Sequence, residues 1–340
     1  MKNRVLLTGI SGFLGGHVAL QLLEKGYRVR GSVRDIGKSD KVRQALQNHG
    51  ARVDELEFVA LDLLSDKGWA EAMKGIDLLI HTASPFVTSM PRDRMELITP
   101  AVEGTRRALE AALDADVSRM IVTSSAVAIM HGDKKPGPAP LNEQDWTDEN
   151  SPGLNAYVQS KTMAEKKAWE IMERAGRRRD LATINPALIL GPLLDDDPGT
   201  SGALVLRLLK GTIPAAPRFN LSIIDVRDVA AAHIAAMETP QAGGKRFAMA
   251  AGNMWIMQIA NGIKRDFPRF ASRMPKFTMP DWAIRVYALF DRDIRGSLNE
   301  LGVVHQIDAS RARQLLATDF IPAEQAIAAT VQSMLKQELV

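Results

Sequence analysis

Thr8-Gly9-Ile10-Ser11-Gly12-Phe13-Leu14-Gly15-Gly16-His17 puts four glycines into ten residues, between two stretches of different periodicity. Before it, Val5-Leu6-Leu7 is a short apolar run that reads as a buried strand. After it, Val18-Ala19-Leu20 and Leu22-Leu23 have helical spacing that stops at Gly26. Glycines at a strand-to-helix turn let the backbone bend tightly and approach a ligand closely. The free N–H groups of the new helix then suit an anion such as a pyrophosphate. A plain turn can carry the same letters, so the rest of the chain must decide.

Working outward, short apolar strands alternate with helical patterns. Strands are expected at 4–8, 28–33, 56–60, 78–82, 119–123 and 181–185, and helices at 12–25, 38–47, 99–115 and 156–174. That alternation implies an α/β fold, a doubly wound parallel sheet whose ligands bind beyond the carboxyl ends of the strands. Past Pro186 the regularity fails. The stretches Asp195-Asp196-Asp197-Pro198-Gly199 and 214–217 are rich in turn residues, as is an earlier proline-rich loop at 134–140. The expected division is a main domain of 1–185, to which about 223–250 returns, and a smaller C-terminal lid domain of 186–222 and 251–340.

Composition excludes several classes. The 340 residues are 46% hydrophobic and 24% charged, as in an ordinary globular protein, with a net charge of only +3. No basic stripe suggests a nucleic-acid partner; Arg177-Arg178-Arg179 closes a helical pattern, where cations favour the helix dipole. With no cysteine there can be no disulfide, thiol nucleophile or cysteine-bound metal. No apolar run reaches the roughly 18 residues that span a bilayer. The first strand begins near Arg4 without a leader-like segment. A soluble, cytoplasmic protein is expected, with no membrane partner; monomer and homodimer are both compatible with the sequence.

Chemistry is suggested by Tyr157-Val158-Gln159-Ser160-Lys161. Residues four apart share a helix face, so the phenol and the ammonium project together. A phenol titrates near 10, and an adjacent cation favours its ionised form, as a general acid–base near neutrality requires. Thr123-Ser124-Ser125 ends the fifth strand, where a reactive hydroxyl belongs in this architecture. The bland alternatives are an amphipathic surface tyrosine and a serine that closes a turn.

Together, Gly9-x-x-Gly12-x-x-Gly15, Ser125 and Tyr157-x-x-x-Lys161 resemble the extended short-chain dehydrogenases/reductases. More narrowly, the chain is similar to their dihydroflavonol reductase, cinnamoyl-CoA reductase and microbial aldehyde reductase branch. The stretches "SVRDIGKSDKV", "LDLLSD", "HTASPF", "VTSSAVA", "AYVQSKTMAE", "INPALILGP" and "DVRDVAAAHIAAME" carry the likeness, as does the tail "DASRARQLLATDFIPAEQAI". The resemblance implies a Rossmann-like nucleotide-binding domain and a smaller substrate-binding domain. It implies that Tyr157 donates a proton to a substrate carbonyl as hydride arrives from a nicotinamide, that Ser125 holds that oxygen, and that Lys161 lowers the tyrosine pKa and binds the nicotinamide ribose. Around the cofactor it implies Gly9, Gly12, Phe13, Leu14 and Gly15 at the turn, Asp62 and Leu63 at the adenine, and Thr82, Ala83, Ser84 and Thr123 beneath the cofactor. Pro186, Ala187 and Leu188 are expected beside the nicotinamide amide. A substrate pocket is expected between Ser84, Pro85 and Phe86 on one side and Ala126 and Met130 on the other, with Ser125 and Tyr157 as its polar groups.

Cofactor choice turns on the end of the second strand. An acid there binds a ribose 2′-hydroxyl and repels a 2′-phosphate. The family's position for that acid is Val33, followed by Arg34 and, further on, Lys41, so NADP(H) is expected. Asp35 turning inward to serve NAD is the alternative. The expected reaction is NADPH-dependent reduction of a small-molecule aldehyde or ketone. The rivals on the same fold are a hydroxysteroid-type dehydrogenase and a nucleotide-sugar epimerase or dehydratase. Dehydratases carry an Asp–Glu pair just after the serine, where this chain has Ala126-Val127. His17 and His81 are expected to be structural, and Asp195–Asp197 to be a solvated loop.

Overall fold

The computed structural model describes residues 3–85, 91–132, 139–290 and 292–340. The chain runs β1 (Arg4–Thr8), α1 (Phe13–Glu24), β2 (Arg28–Val33), α2 (Ser39–Asn48), β3 (Leu56–Ala60), α3 (Trp69–Met73), β4 (Leu78–His81), α4 (Met95–Asp114), β5 (Arg119–Thr123), α5 (Val127–Met130), α6 (Ala156–Arg174) and β6 (Leu181–Pro186). Then follow β7 (Leu188–Leu190), α7 (Gly199–Leu209), β8 (Asn220–Asp225), α8 (Val226–Glu238), β9 (Arg246–Met249), β10 (Gly252–Trp255), α9 (Ile256–Asp266), α10 (Asp281–Tyr287), α11 (Arg292–Arg295), α12 (Ser310–Leu316) and α13 (Ala323–Lys336).

Seven strands form one parallel sheet in the order β3-β2-β1-β4-β5-β6-β9. This is the expected doubly wound, Rossmann-like fold, and its strand order reverses between β1 and β4. Alternate side chains feed opposite faces. On β1, Val5 and Leu7 join a core with α1, α8 and α12, while Leu6 joins a second core with α3, α4 and α6. Burial on both faces explains why these strands read as unbroken apolar runs.

A second sheet, β10-β8-β7, packs with α7, α9 and α13 around its own apolar core. The expected return of 223–250 to the main sheet therefore divides. Residues 223–225 belong to β8 in the small sheet, α8 packs on the main one, and β9 is the strand that joins it beside β6. The helix expected at 99–115 begins earlier, at Met95, and holds Pro100 inside it. A proline's φ is helical, and within a long packed helix the loss of its N–H bond is tolerated. Most of the proline-rich loop, 134–138, lies outside the described residues. No helix among the described residues is long and apolar enough to cross a membrane.

Candidate active site

At the carboxyl ends of the main strands lies a cleft of about 990 Å³, and every described candidate from the sequence lines it. Phe86 lies outside the described residues. At one end is the glycine turn. Gly9 has φ +72°, and a Cβ there would sit 2.9 Å from the Ala83 backbone. A Cβ on Gly15 would collide with the Gly9 carbonyl, so the turn and α1 close up only with glycine at both places. Gly12, the N-cap of α1, supplies no side-chain acceptor, and the first turn of the helix holds no acid. Its N–H groups are left to face an anion in the cleft.

Beyond β2 the cleft is lined by Arg34, Lys38 and Lys41, of which Lys38 was not among the expected cofactor contacts. Asp35 does not turn inward: its carboxylate accepts from Gly37 N at 3.0 Å and caps the short turn that follows. Lys41 is not free for a phosphate. Its ammonium bonds Asp196 and lies 3.9 Å from Asp195. The Asp196 hydrogen bond, against a slight burial, holds Lys41 above its ordinary pKa. The acidic run is thus more than a solvated loop, since Asp195 and Asp197 line the cleft and the run ties α2 to the segment before α7.

At the other end the reactive groups converge. Asn155 caps α6, accepting from Val158 N at 3.0 Å, and so fixes the first turn that carries Tyr157. Ser125 lines the cleft beside Tyr157, and its hydroxyl favours the ionised form of the phenol. One turn on, Lys161 Nζ donates to Ser84 Oγ at 2.8 Å and sits 5.8 Å from the Tyr157 ring centre. Both side chains are walled in by protein while keeping an open side toward the cleft. The expected lowering of the tyrosine pKa is not what this geometry gives. Burial pushes the phenol up, and the Ser125 hydroxyl offsets only part of that. The Lys161 ammonium is itself disfavoured by burial and is pushed down to about 8. Its hydrogen bond goes to Ser84.

A buried polar network, unforeseen in the sequence, holds the serine in place. Glu165 continues the Tyr157–Lys161 face of α6 and is 0% exposed at its side chain. Its oxygens accept from Ser124 Oγ (2.6 Å), Asn185 Nδ2 (2.7 Å), Thr183 Oγ1 (2.8 Å) and Arg246 Nε (2.7 Å). Asn185 also donates to the Ser125 carbonyl at 3.3 Å, while Ser124 N and Ala126 N bond Ile184 O and Pro186 O. Burial alone would raise the Glu165 carboxyl, but the Arg246 charge and these donors outweigh it and hold it below its ordinary value. Arg246 stacks on Trp146, its guanidinium carbon 3.6 Å from the ring centre. His81 and His17 are buried and hydrogen-bonded within the fold, to Thr8 Oγ1 and Pro192 O, and burial lowers each to about 4.

The remaining wall comes from far along the chain. Phe219 just before β8 and Asn220, Leu221 and Ser222 of β8, with Ser297 and Glu300, face the same cleft as Met130. None stood in a recognisable motif.

Comparison with known proteins agrees with this geometry. Residues 5–252 match the model of the NAD dependent epimerase/dehydratase family. The chain belongs to that family. It is 34% identical to the putative NADPH-dependent methylglyoxal reductase GRP2 of Candida albicans, over 81% of this chain and 86% of that protein. It is 32% identical to tetraketide alpha-pyrone reductase 2 of Arabidopsis thaliana, over 79% and 84% of the two chains. Among solved structures it superposes on yeast methylglyoxal/isovaleraldehyde reductase Gre2 complexed with NADPH with a TM-score of 0.80, at 25% identity and over 98% and 99% of the two chains. The resemblance read from the motifs is borne out.

Proposed function

We propose that this protein reduces an aldehyde or ketone to the alcohol with NADPH, Tyr157 supplying the proton. The chain is an NADP-dependent oxidoreductase. Relatives named as NADPH-dependent reductases support the cofactor, and so do the residues that would hold it. A turn that tolerates no Cβ, an open helix N-terminus, cations beyond β2 and an Asp35 engaged elsewhere all fit a dinucleotide bearing a 2′-phosphate. When bound, the nicotinamide supplies hydride. The observation that carries the reading is the convergence of Tyr157, Ser125 and Lys161 on one cleft, with Lys161 one turn from Tyr157 and its ammonium 5.8 Å from the ring.

From these residues the chemistry follows. A carbonyl oxygen taking the place between Ser125 and Tyr157 accepts from both hydroxyls, which polarises the carbon. As charge grows on that oxygen the Tyr157 proton moves to it. A phenol that burial raises keeps its proton at neutral pH, so the proton is there to give to the carbonyl oxygen. Lys161 lowers the cost of the phenolate left behind, and donation to Ser84 keeps its ammonium aimed into the cleft. NADPH oxidation across a panel of aldehydes, ketones, diketones and a dihydroflavonol tests the reading: turnover of at least one simple carbonyl is expected, and inertness toward all of them refutes it.

A further inference from the structure

The far end of the substrate cleft is not apolar. His131 follows Met130, and its Nδ1 lies 3.5 Å from Glu300 Oε1. From the other side His305 Nε2 bonds Glu300 Oε2 at 2.9 Å. The imidazoles are largely covered, 13% and 6% exposed at the side chain, while Glu300 keeps 34% and lines the cleft. Burial works against ionisation of Glu300, but the His305 bond and the charges of both imidazoles outweigh it and hold the carboxyl below its ordinary value. Burial pushes His131 down, against the pull of the Glu300 charge.

The trio is tied into the fold from several directions. Asn253 Nδ2 donates to His305 O (2.9 Å), Ser222 Oγ (3.0 Å) and Asn220 Oδ1 (2.9 Å), and both of the latter residues line the cleft. Asn299 Nδ2 reaches Gly153 O at 3.3 Å and Asn155 Nδ2 reaches Gly296 O at 3.4 Å. The segment that carries Glu300 is thereby joined to the loop and cap that position Tyr157. A carboxylate held this way offers acceptors only. It rewards a donor placed opposite it and penalises a second anion.

We propose that Glu300, steadied by His131 and His305, forms a recognition subsite at the far end of the cleft that takes a hydroxyl or amino group of the carbonyl substrate and rejects a carboxylate. This rests on the carbonyl-reductase reading above and names its substrate class: a carbonyl compound, apolar in the middle, with a hydrogen-bond donor at its distal end. Such a substrate lays its body along Met130 and ends at Glu300.

The test compares three ketones of one skeleton with the purified protein and NADPH: 4-phenylbutan-2-one and its ring 4-hydroxy and 4-carboxylate derivatives. The hydroxyl is expected to raise kcat/KM by about fivefold and the carboxylate to lower it by about tenfold, mainly through KM, because the subsite binds rather than reacts. Glu300→Gln, checked by its melting temperature, should cut the hydroxyl-to-carboxylate ratio by roughly tenfold, and Glu300→Asp serves if the first variant fails to fold. Wild-type protein that turns over all three ketones alike overturns the subsite and leaves the reductase reading intact. Turnover of none, with no carbonyl of the wider panel accepted, condemns the reading it rests on instead. Ratios that change on adding zinc and revert with a chelator also overturn it, since the trio would then be a cation site.

Discussion

The two ends of the cleft are built differently. The cofactor end is anchored by two local segments, the β1–α1 turn and the stretch after β2, each complete within a few positions, with single strand ends filling in around them. The substrate end joins 125–131 to Phe219, Asn220, Leu221, Ser222, Ser297 and Glu300, which lie far away in sequence. Where one local conformation makes the site, it constrains the letters themselves: Gly9 must take positive φ and Gly15 must clear a carbonyl. An assembled site constrains only where the fold delivers ordinary letters, and a glutamate or serine there looks like any other.

The sharpest way to break this contrast is at the reacting centre, where the two ends meet. Tyr157→Phe removes one hydroxyl from a half-buried ring and should lower turnover by about 10²–10⁴-fold, the range for a lost proton donor. NADPH affinity and melting temperature should barely change, since the ring still fills its place. Turnover near wild type in the purified variant would remove the tyrosine from the mechanism.

Next in size is the network beneath the serine, a test of whether the ends are mechanically separable. Arg246→Met strands the Glu165 carboxylate with no cation, at a cost of roughly 3–5 kcal/mol in unfolding free energy. The sign with pH follows from the direction of the shift. The native Glu165 carboxyl is held below its ordinary value, so the stability it contributes is complete above the unfolded pKa of about 4.3 and is lost as pH falls toward the native one. In the variant only burial and neutral donors remain. The gap in melting temperature between the two proteins should therefore be widest near neutral pH and narrow on acidification. A gap independent of pH would mean that Arg246 acts through its packing on Trp146.

Legibility follows the same line. The central strands β1, β4, β5 and β6 could be read because burial on both faces leaves apolar runs, and the catalytic spacing because one helix carries both Tyr157 and Lys161. Glu165 sits on that helix too, yet nothing in its letter tells that Arg246, 81 residues on, will bury against it. Nor could the tyrosine–lysine spacing reveal that Lys161 donates to Ser84 or that burial moves the phenol upward, since both depend on how the walls close around the pair. The division of 223–250 between two sheets was hidden for a related reason: β8 and β9 are both short apolar strands, and only pairing distinguishes them.

At the cofactor end the comparison can be sharpened by ranking the cations. Arg34 and Lys41 replaced together by Ala should weaken NADPH by roughly 10–100-fold, as lost charge-assisted phosphate contacts do at an exposed site, and leave NADH nearly untouched. Lys41 is already bound to Asp196, so a phosphate gains from it only by competing with that carboxylate. Arg34→Ala alone should then account for most of the loss, and Asp196→Asn should tighten NADPH by a few-fold by releasing Lys41. Titration showing equal losses for NADPH and NADH would mean that these side chains support the loop rather than the phosphate.

The smallest effect is expected at Met130, where the apolar middle of the substrate end is decided. Met130 lines the cleft and packs at the edge of a small cluster of Ile129, Leu141 and Ala248. A flexible thioether there fills space and accepts hydrogen bonds poorly. A polyhydroxylated flavonoid laid along it leaves a phenol without a partner, at about 1–3 kcal/mol, whereas an apolar ketone leaves nothing unpaired. The wild type should therefore have higher kcat/KM for hydrophobic carbonyl compounds than for dihydroquercetin. Met130→Asn offers the missing partner and removes apolar bulk, so it should improve the polyphenol and harm the apolar ketone, each by a few-fold, because the asparagine also forfeits some packing against Ile129. The donor that Glu300 takes lies beyond this stretch, so the variant should leave the preference for a distal hydroxyl over a carboxylate unchanged. If Met130→Asn erased that preference, the middle and the far end of the cleft would be one recognition surface, and the boundary drawn between them at His131 would be wrong.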